Sequence, residues 1–240
     1  MIDASVHLNE LAFGYGRHPV IKGIAGSIAA GTLTALIGAN GSGKSTLLKG
    51  IAGILRPLAG SYTRALGTRI AYLPQTTELD RSFPACVHDL VALGLWPERG
   101  LLRRHRTQER QKVADALETV GLAGFANTSL NALSGGQFQR ALFARVIVQN
   151  AHIILLDEPF NAIDTETTQA MLSLIKHWHQ QGRTVLVVIH DLNLVRCHFP
   201  ETMAVNGELM AWGKTPTVLD SLTVALSDDT PSLVPNGVAE

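Results

Sequence analysis

The segment Gly38-Ala39-Asn40-Gly41-Ser42-Gly43-Lys44-Ser45 fits the pattern G-x-x-x-x-G-K-[ST] without a gap. Its context gives the pattern meaning: an apolar run, Thr32–Ile37, comes before it, and an amphipathic stretch, Thr46–Ala52, follows. No other stretch of the chain restricts the backbone as much. Glycines let successive N–H groups turn toward one point, and the N-terminus of the following helix adds positive potential there. Such a loop is built for phosphate oxygens. Lys44 has the length to reach β- and γ-phosphates, the Ser45 hydroxyl can ligate Mg²⁺, and Thr46 follows in the first turn of the helix. A chain with this segment needs an α/β core that can present a loop at a strand end, and it points to a nucleoside triphosphate.

Composition agrees with such a core. The 240 residues carry 20 Lys+Arg against 20 Asp+Glu, with 46% hydrophobic and 17% charged residues. This is the make-up of a globular chain, one large domain or a core domain with a subdomain. Balanced charge argues against nucleic-acid binding, because neutralising phosphates leaves a basic excess. Two cysteines, Cys86 and Cys197, are too few for a disulfide framework and suit a reducing compartment. The opening MIDASVHLNE has an early acid and no apolar run, unlike a secretory signal. No stretch approaches the roughly 20 apolar residues of a membrane span. A soluble, cytosolic chain is the expectation.

Short apolar runs alternate with helical periodicity along the chain, which reads as α/β. Strands are expected at Val6–Phe13, Thr32–Ile37, Arg69–Leu73, His152–Leu156 and Thr184–Ile189, and Arg56–Ser61 reads as a turn. Between Thr76 and Gln149 the character changes to helices, near Val87–Leu95, Thr107–Val120 and Gly136–Gln149. Further on, Met171, Leu174, Ile175 and Trp178 mark one helix face. Asn206-Gly207 between Thr202–Val205 and Glu208–Trp212 signals a hairpin, and residues 230–240 read as a frayed tail.

Three further groups of residues carry chemistry. Ile153–Leu156 is an apolar strand ending in Asp157-Glu158, where Asp157 can hold Mg²⁺ and Glu158 can polarise a water beside a γ-phosphate. Leu133-Ser134-Gly135-Gly136-Gln137 precedes an amphipathic helix; in isolation it reads as an N-cap with a flexible lead-in, or as a second phosphate-binding turn. The GTPase string N-K-x-D is absent. His177 and His179 do not share a helix face, so they make a poor metal site, and Cys86 with His88 is no better. The basic run from Arg99 to Lys112, with Arg103, Arg104, Arg106 and Arg110, reads as a solvated face, with lipid headgroups or a membrane partner as the minor alternative.

Together these elements resemble the ATP-binding-cassette ATPases, over residues 5 to 215. Leu133–Gln137 looks like the family signature. Tyr15 matches the aromatic that stacks on adenine. Gln75, in Tyr72-Leu73-Pro74-Gln75, matches the glutamine that senses Mg²⁺ or γ-phosphate. Asn161-Ala162-Ile163-Asp164 occupies the D-loop, where Asp164 is also a credible helix N-cap, and His190 looks like the switch histidine that helps hold the catalytic water. The resemblance implies an α/β P-loop NTPase (RecA-like) core with an antiparallel β subdomain and an inserted helical subdomain. The expected division is a core at 1–75 and 150–220, an insert at 76–149 and a short tail at 221–240.

It further implies a head-to-tail homodimer with two ATP molecules at the interface. Each ATP would meet Lys44 and Ser45 of one copy and the turn Ser134, Gly135, Gly136 and Gln137 of the other. Glu158, His190 and Gln75 would be catalytic, and Ser45, Gln75 and Asp157 would face Mg²⁺. Lys44 to Ser134 is too short for the coiled coils of DNA-repair members, and translation factors carry two cassettes. A stand-alone cassette in iron–sulfur assembly is a further alternative. LLDEPFNAID, TTQAML, GRTVLVVIHDLNLVRCHFPE and AWG resemble the cassettes of bacterial zinc and manganese importers, while HDLNLV is also similar to iron-siderophore, haem and cobalamin cassettes. The implied setting is the cytoplasmic face of a membrane, docked on a permease through the groove near Gln75, with an extracytoplasmic binding protein capturing the cargo and no nucleic acid involved.

Overall fold

The computed structural model describes residues 6–96 and 107–228. In chain order the elements are β1 (Val6–Tyr15), β2 (His18–Ile28), β3 (Leu33–Ile37), α1 (Lys44–Ile51), β4 (Ala59–Arg64), β5 (Ile70–Leu73), α2 (Val87–Ala92), α3 (Thr107–Thr119) and α4 (Gly135–Gln149). They continue with β6 (Ile153–Asp157), α5 (Thr165–Gln180), β7 (Thr184–Val188), α6 (Leu192–His198), β8 (Glu201–Val205), β9 (Leu209–Lys214) and α7 (Thr215–Asp228).

The central sheet has the order β5-β6-β7-β3-β8-β9, parallel throughout except for the β8–β9 hairpin. Every residue of β3, β6 and β7 is buried, as expected of parallel strands covered on both faces. Side-chain alternation divides each strand between two cores. Leu33, Ala35, Ile154, Leu156, Val185 and Val187 face the helical insert and α5. Leu36, Ile153, Leu155, Leu186 and Val188 face α1 and a second, antiparallel sheet of order β2-β1-β4. The first core is closed by Phe143 of α4 stacked on Trp178 of α5, with ring centroids 5.8 Å apart.

This topology sets the ends of β3, β6 and β7 side by side, so the loops that leave them share one edge of the sheet. That edge is where open parallel sheets place their ligands. Between β5 and β6 the described residues form helices and turns, with one isolated antiparallel bridge between Cys86 and Ser129. Among the described residues, no helix is long and apolar enough to cross a membrane.

Several elements differ from the sequence expectation for identifiable reasons. Arg56–Ser61 reads as a turn, yet β4 starts at Ala59. It is an edge strand with five of its six residues exposed, so no apolar alternation marks it. β2 escapes the periodicity because register shifts interrupt its pairing with β1. α6 is a short helix capped by Asp191, whose carboxylate accepts from the Asn193 and Leu194 amides at 2.8 and 3.2 Å. A further helix, α7, begins at Thr215 and runs to Asp228, across the expected start of the short tail at 221, and Pro216 lies in its first turn, where proline is tolerated. Arg110 and Lys112 lie on exposed positions of α3, whereas Arg99, Arg103, Arg104 and Arg106 of the basic run lie outside the described residues, as does the stretch 230–240.

α1 packs on β1 at Gly50. A Cβ there would sit 2.4 Å from carbons of the Phe13 ring, which is fully buried. Gly50→Ala should therefore destabilise the fold by about 1–3 kcal/mol through overpacking, read as a lower urea midpoint at unchanged m-value. An unchanged midpoint would mean that the Phe13 ring has room to move.

Candidate functional site

β3 delivers the chain to Gly38 and α1 takes it up at Lys44. Gly43 stands between them with φ 97°, in the left-handed region, and a Cβ on it would lie 2.9 Å from that of Ile21. Only glycine meets both conditions without strain. The loop is also braced from behind by the β8–β9 turn. Gly207 N–H donates to the Ser42 carbonyl at 2.9 Å, and Lys22 N–H donates to the Gly207 carbonyl at 2.9 Å. The Lys44 ammonium donates to the carbonyls of Gly38 and Ala39 at 3.0 and 2.7 Å. Burial lowers its pKa, while Glu158 and then Asp157 pull it the other way.

Asp157, at the end of β6, is buried and receives two hydroxyls. Ser45 donates to Oδ1 at 3.1 Å and Tyr72, from β5, to Oδ2 at 3.3 Å. Burial raises the Asp157 pKa, and these two bonds only offset it in part. Burial and the neighbouring Asp157 charge likewise push the Tyr72 phenol up. Arg145 of α4 donates to the Tyr72 carbonyl at 3.1 Å and so ties the helical insert to this strand.

Glu158 has φ 50°, a left-handed backbone uncommon outside glycine. Its carboxylate is held from three directions. Gln75 Nε2 donates to Oε1 at 2.7 Å and His190 Nε2 to the same oxygen at 2.8 Å, while Asn161 Nδ2 donates to Oε2 at 3.3 Å. Gln75 Nε2 also lies 3.3 Å from Ser45 Oγ. The three donors come from the ends of β5 and β7 and the loop after β6, segments far apart in sequence that share one sheet edge.

Lys44, Ser45, Thr46, Gln75 and Glu158 line one cavity of about 400 Å³, together with Asn40, Gly41 and Gly43. A larger one, about 700 Å³, continues from Asn40 and Glu158 along Asn161, Ala162 and His190. Tyr15 ends β1 and is 53% exposed. Ser134, Gly135, Gly136 and Gln137 line neither cavity. They form the capped start of α4: the Ser134 hydroxyl accepts from Gln137 N–H at 3.2 Å, and Gln137 Oε1 accepts from Ser134 N–H at 2.9 Å. Asp164 caps α5, with Oδ1 accepting from Thr167 N–H at 2.7 Å. A Cβ on Gly136 would lie 3.4 Å from Asp164 Oδ2, so the two caps adjoin.

Tyr72, Gly207 and the anchoring role of Asn161 were not legible beforehand. Tyr72 carries a weak signal, a tyrosine on a strand leading into Gln75. The Gly207–Ser42 bond joins residues that nothing local relates. Mutating Asp157 exposes the balance of charge and burial. A raised carboxyl pKa favours the native state at low pH, and that stability is lost as pH rises through the native value. In the chain free of nucleotide and magnesium, Asp157→Asn should raise the urea midpoint at pH 7, with the gain fading as pH falls toward the ordinary value of 3.8. A lower midpoint at pH 7 would mean that the hydrogen bonds from Ser45 and Tyr72 and the attraction to Lys44 outweigh the burial of Asp157.

The model of the ABC transporter family matches residues 21–161. A manganese transport system ATP-binding protein, MntB, from Listeria monocytogenes is 39% identical over 214 residues, covering 87% of this chain and 89% of that protein. A zinc transport system ATP-binding protein, TroB, from Treponema pallidum is 38% identical over 216 residues, covering 87% and 81%. Among solved structures, a chain of a provisionally assigned metal-chelate type ABC transporter in an inward-facing conformation superposes with a TM-score of 0.82 at 29% identity, covering 93% of this chain and 89% of that one. With the loop, the strand-end carboxylates and the capped Leu133–Gln137 turn in one α/β fold, the chain belongs to the ABC transporter family, as an ATP-hydrolysing cassette.

Proposed function

We propose that this cassette is the ATPase subunit of a bacterial importer of divalent metal ions, zinc or manganese, working on a separate membrane permease. The observation that carries the hydrolytic reading is the setting of Glu158, a carboxylate held by Gln75 and His190 beside the loop that bears Lys44. The cargo reading is supported by relatives named for manganese and for zinc, at 39% and 38% identity.

In this reading the backbone from Gly38 to Ser45, with Thr46, wraps the phosphates of ATP, and Lys44 neutralises charge on the β- and γ-phosphates. Tyr15 stacks on the adenine. Glu158 accepts the proton of the attacking water, while His190 and Gln75 hold that carboxylate and the water in line. The donor set at this corner fits magnesium, a hard cation that takes oxygen ligands. The Ser45 hydroxyl and the Asp157 carboxylate lie 3.1 Å apart, with the Gln75 amide 3.3 Å from the same hydroxyl. Ser45, Asp157 and Gln75 would hold the ion, which when bound would neutralise phosphate charge.

Two phosphate-binding features in one chain that do not share a cavity are supported best by a second copy. One solved bacterial ABC transporter cassette, 27% identical to this chain, is dimeric. Head to tail, Ser134, Gly135, Gly136 and Gln137 of one copy would close over the ATP held by the other, with Asp164 beside that turn. The cassette would sit on the cytoplasmic face of the membrane, docked on its permease near Gln75 and the helical insert, and an extracytoplasmic protein would capture the ion.

Glu158→Gln should retain ATP affinity and lower turnover by about 10²–10⁴-fold, measured as steady-state phosphate release against equilibrium nucleotide binding. Near-normal turnover would remove Glu158 from its role. Cargo is tested by deleting the gene. Growth should then require added manganese or zinc salts. The structural likeness to a metal-chelate type transporter favours a second reading, in which chelated iron, haem or cobalamin relieves the defect and the salts do not. A deletion with no nutritional phenotype for any of these would count against import altogether.

A further inference from the structure

Gln75 must be placed accurately if it is to hold Glu158, yet the segment that carries it packs on the core only at its two ends, through Leu73 and Leu79. Gln75 leads into a single 3₁₀ turn, Thr76–Glu78, in which no residue is buried. Its own backbone bonds are two: Glu78 N–H to the Gln75 carbonyl at 3.0 Å and Leu79 N–H to the Thr76 carbonyl at 3.2 Å. Between Leu73 and Leu79 the turn itself buries no side chain, so its position within that span depends on its polar tethers, and it has one on each side. Toward the phosphate loop, Glu78 Oε1 accepts from Lys49 Nζ at 2.7 Å, and Lys49 stands in the last turn of α1, the helix that begins with Lys44 and Ser45. Toward the helical insert, the Thr76 hydroxyl donates to Gln139 Oε1 at 2.9 Å, and Gln139 is 2% exposed on α4, the helix capped by Ser134.

We propose that the Lys49–Glu78 ion pair, assisted by the Thr76–Gln139 bond, is a latch that fixes Gln75 against Glu158, which makes Lys49 and Glu78 positioning residues for ATP hydrolysis. The inference rests on the catalytic reading of Gln75. The pair joins the helix that follows the phosphate loop to the turn led by Gln75, so a displacement of either passes to the other through the ion pair and the bond from Glu78 N–H to the Gln75 carbonyl. With side-chain exposures of 19% and 38%, solvent screens the pair in part, and its effect is set at about three- to fivefold rather than a hundredfold.

The test uses the full-length chain. Glu78→Gln and Lys49→Met should each lower kcat about three- to fivefold and leave KM for ATP within about twofold, because neither removes a group of the nucleotide site. The double variant should be no worse than the singles, and Lys49→Arg should retain turnover. Hydrogen exchange gives a readout independent of turnover: the Glu78 and Leu79 amides should exchange several-fold faster in Glu78→Gln, with the thermal midpoint nearly unchanged. In a Gln75→Ala background both latch substitutions should have no further effect on kcat.

The failures separate. If Gln75→Ala alone leaves kcat unchanged, the catalytic reading of Gln75 falls, and the latch with it. If Gln75→Ala lowers kcat but Glu78→Gln does not, the latch alone falls. If Lys49→Met raises KM for ATP while Glu78→Gln leaves kcat and KM unchanged, Lys49 contacts nucleotide directly and the proposal is overturned.

Discussion

The Glu158 carboxylate is the point on which the arrangement of this site depends. It collects an amide from Gln75, an imidazole from His190 and a second amide from Asn161, and each arrives on a different segment leaving the sheet. A carboxylate only accepts hydrogen bonds, so three donors converging on it fix those segments relative to one another. The backbone at Glu158 is left-handed, with φ 50°, a conformation that costs energy in a residue with a Cβ. The surrounding bonds hold it there. The parallel sheet makes this possible: β5, β6 and β7 end at one edge in adjacent register, so residues far apart in sequence come within hydrogen-bonding distance without long loops.

One residue away the balance is different. Asp157 is buried and pushed toward its neutral form, and Lys44 is pushed the same way on the basic side, both chiefly by burial. Charges placed so bind opposite charge strongly because little water screens them. They also weigh against the stability of the chain that carries them. The fold answers with neutral donors and acceptors: the hydroxyls of Ser45 and Tyr72 on Asp157, and the carbonyls of Gly38 and Ala39 on Lys44. The polar cluster is thus satisfied within the chain, with Lys44 on the wall of a cavity and Asp157 buried behind Ser45.

Much of this was legible in the sequence because the signals are local. A glycine-rich octapeptide between a strand and a helix and an apolar run ending in two acids each read from a few consecutive residues. The inserted helices read from a break in β character. What escaped was either edge structure or long-range contact. β4 exposes most of its side chains, and β2 is broken by register shifts, so neither shows a period. The support of the phosphate loop by Gly207, and of Asp157 by Tyr72, depends on how distant segments pack. The Asn206-Gly207 dipeptide announced a hairpin, but nothing in it announced that the hairpin would touch Ser42.

The signature turn makes the same point from the other side. Its local chemistry, a capped helix start with two glycines, suits a phosphate, yet the fold places it against Asp164 rather than in the cavity with Lys44. Within one chain the turn already has an occupation, since Ser134 and Gln137 satisfy each other's backbone groups and Gly136 lies against the start of α5. A helix N-terminus keeps its positive potential whether or not its first amides are capped. A residue built both to close a helix and to meet a phosphate therefore need not choose, provided that the phosphate comes to it from outside. Under the proposed dimer it would, and the adjoining Asp164 cap would tie the contact back through Asn161 to Glu158. The segment Glu158–Asp164 would then join two nucleotide sites through a single loop. Under that proposal, the proximity of Gly136 to Asp164 would set one copy's contact with the other's phosphate beside the loop that leads back to its own Glu158.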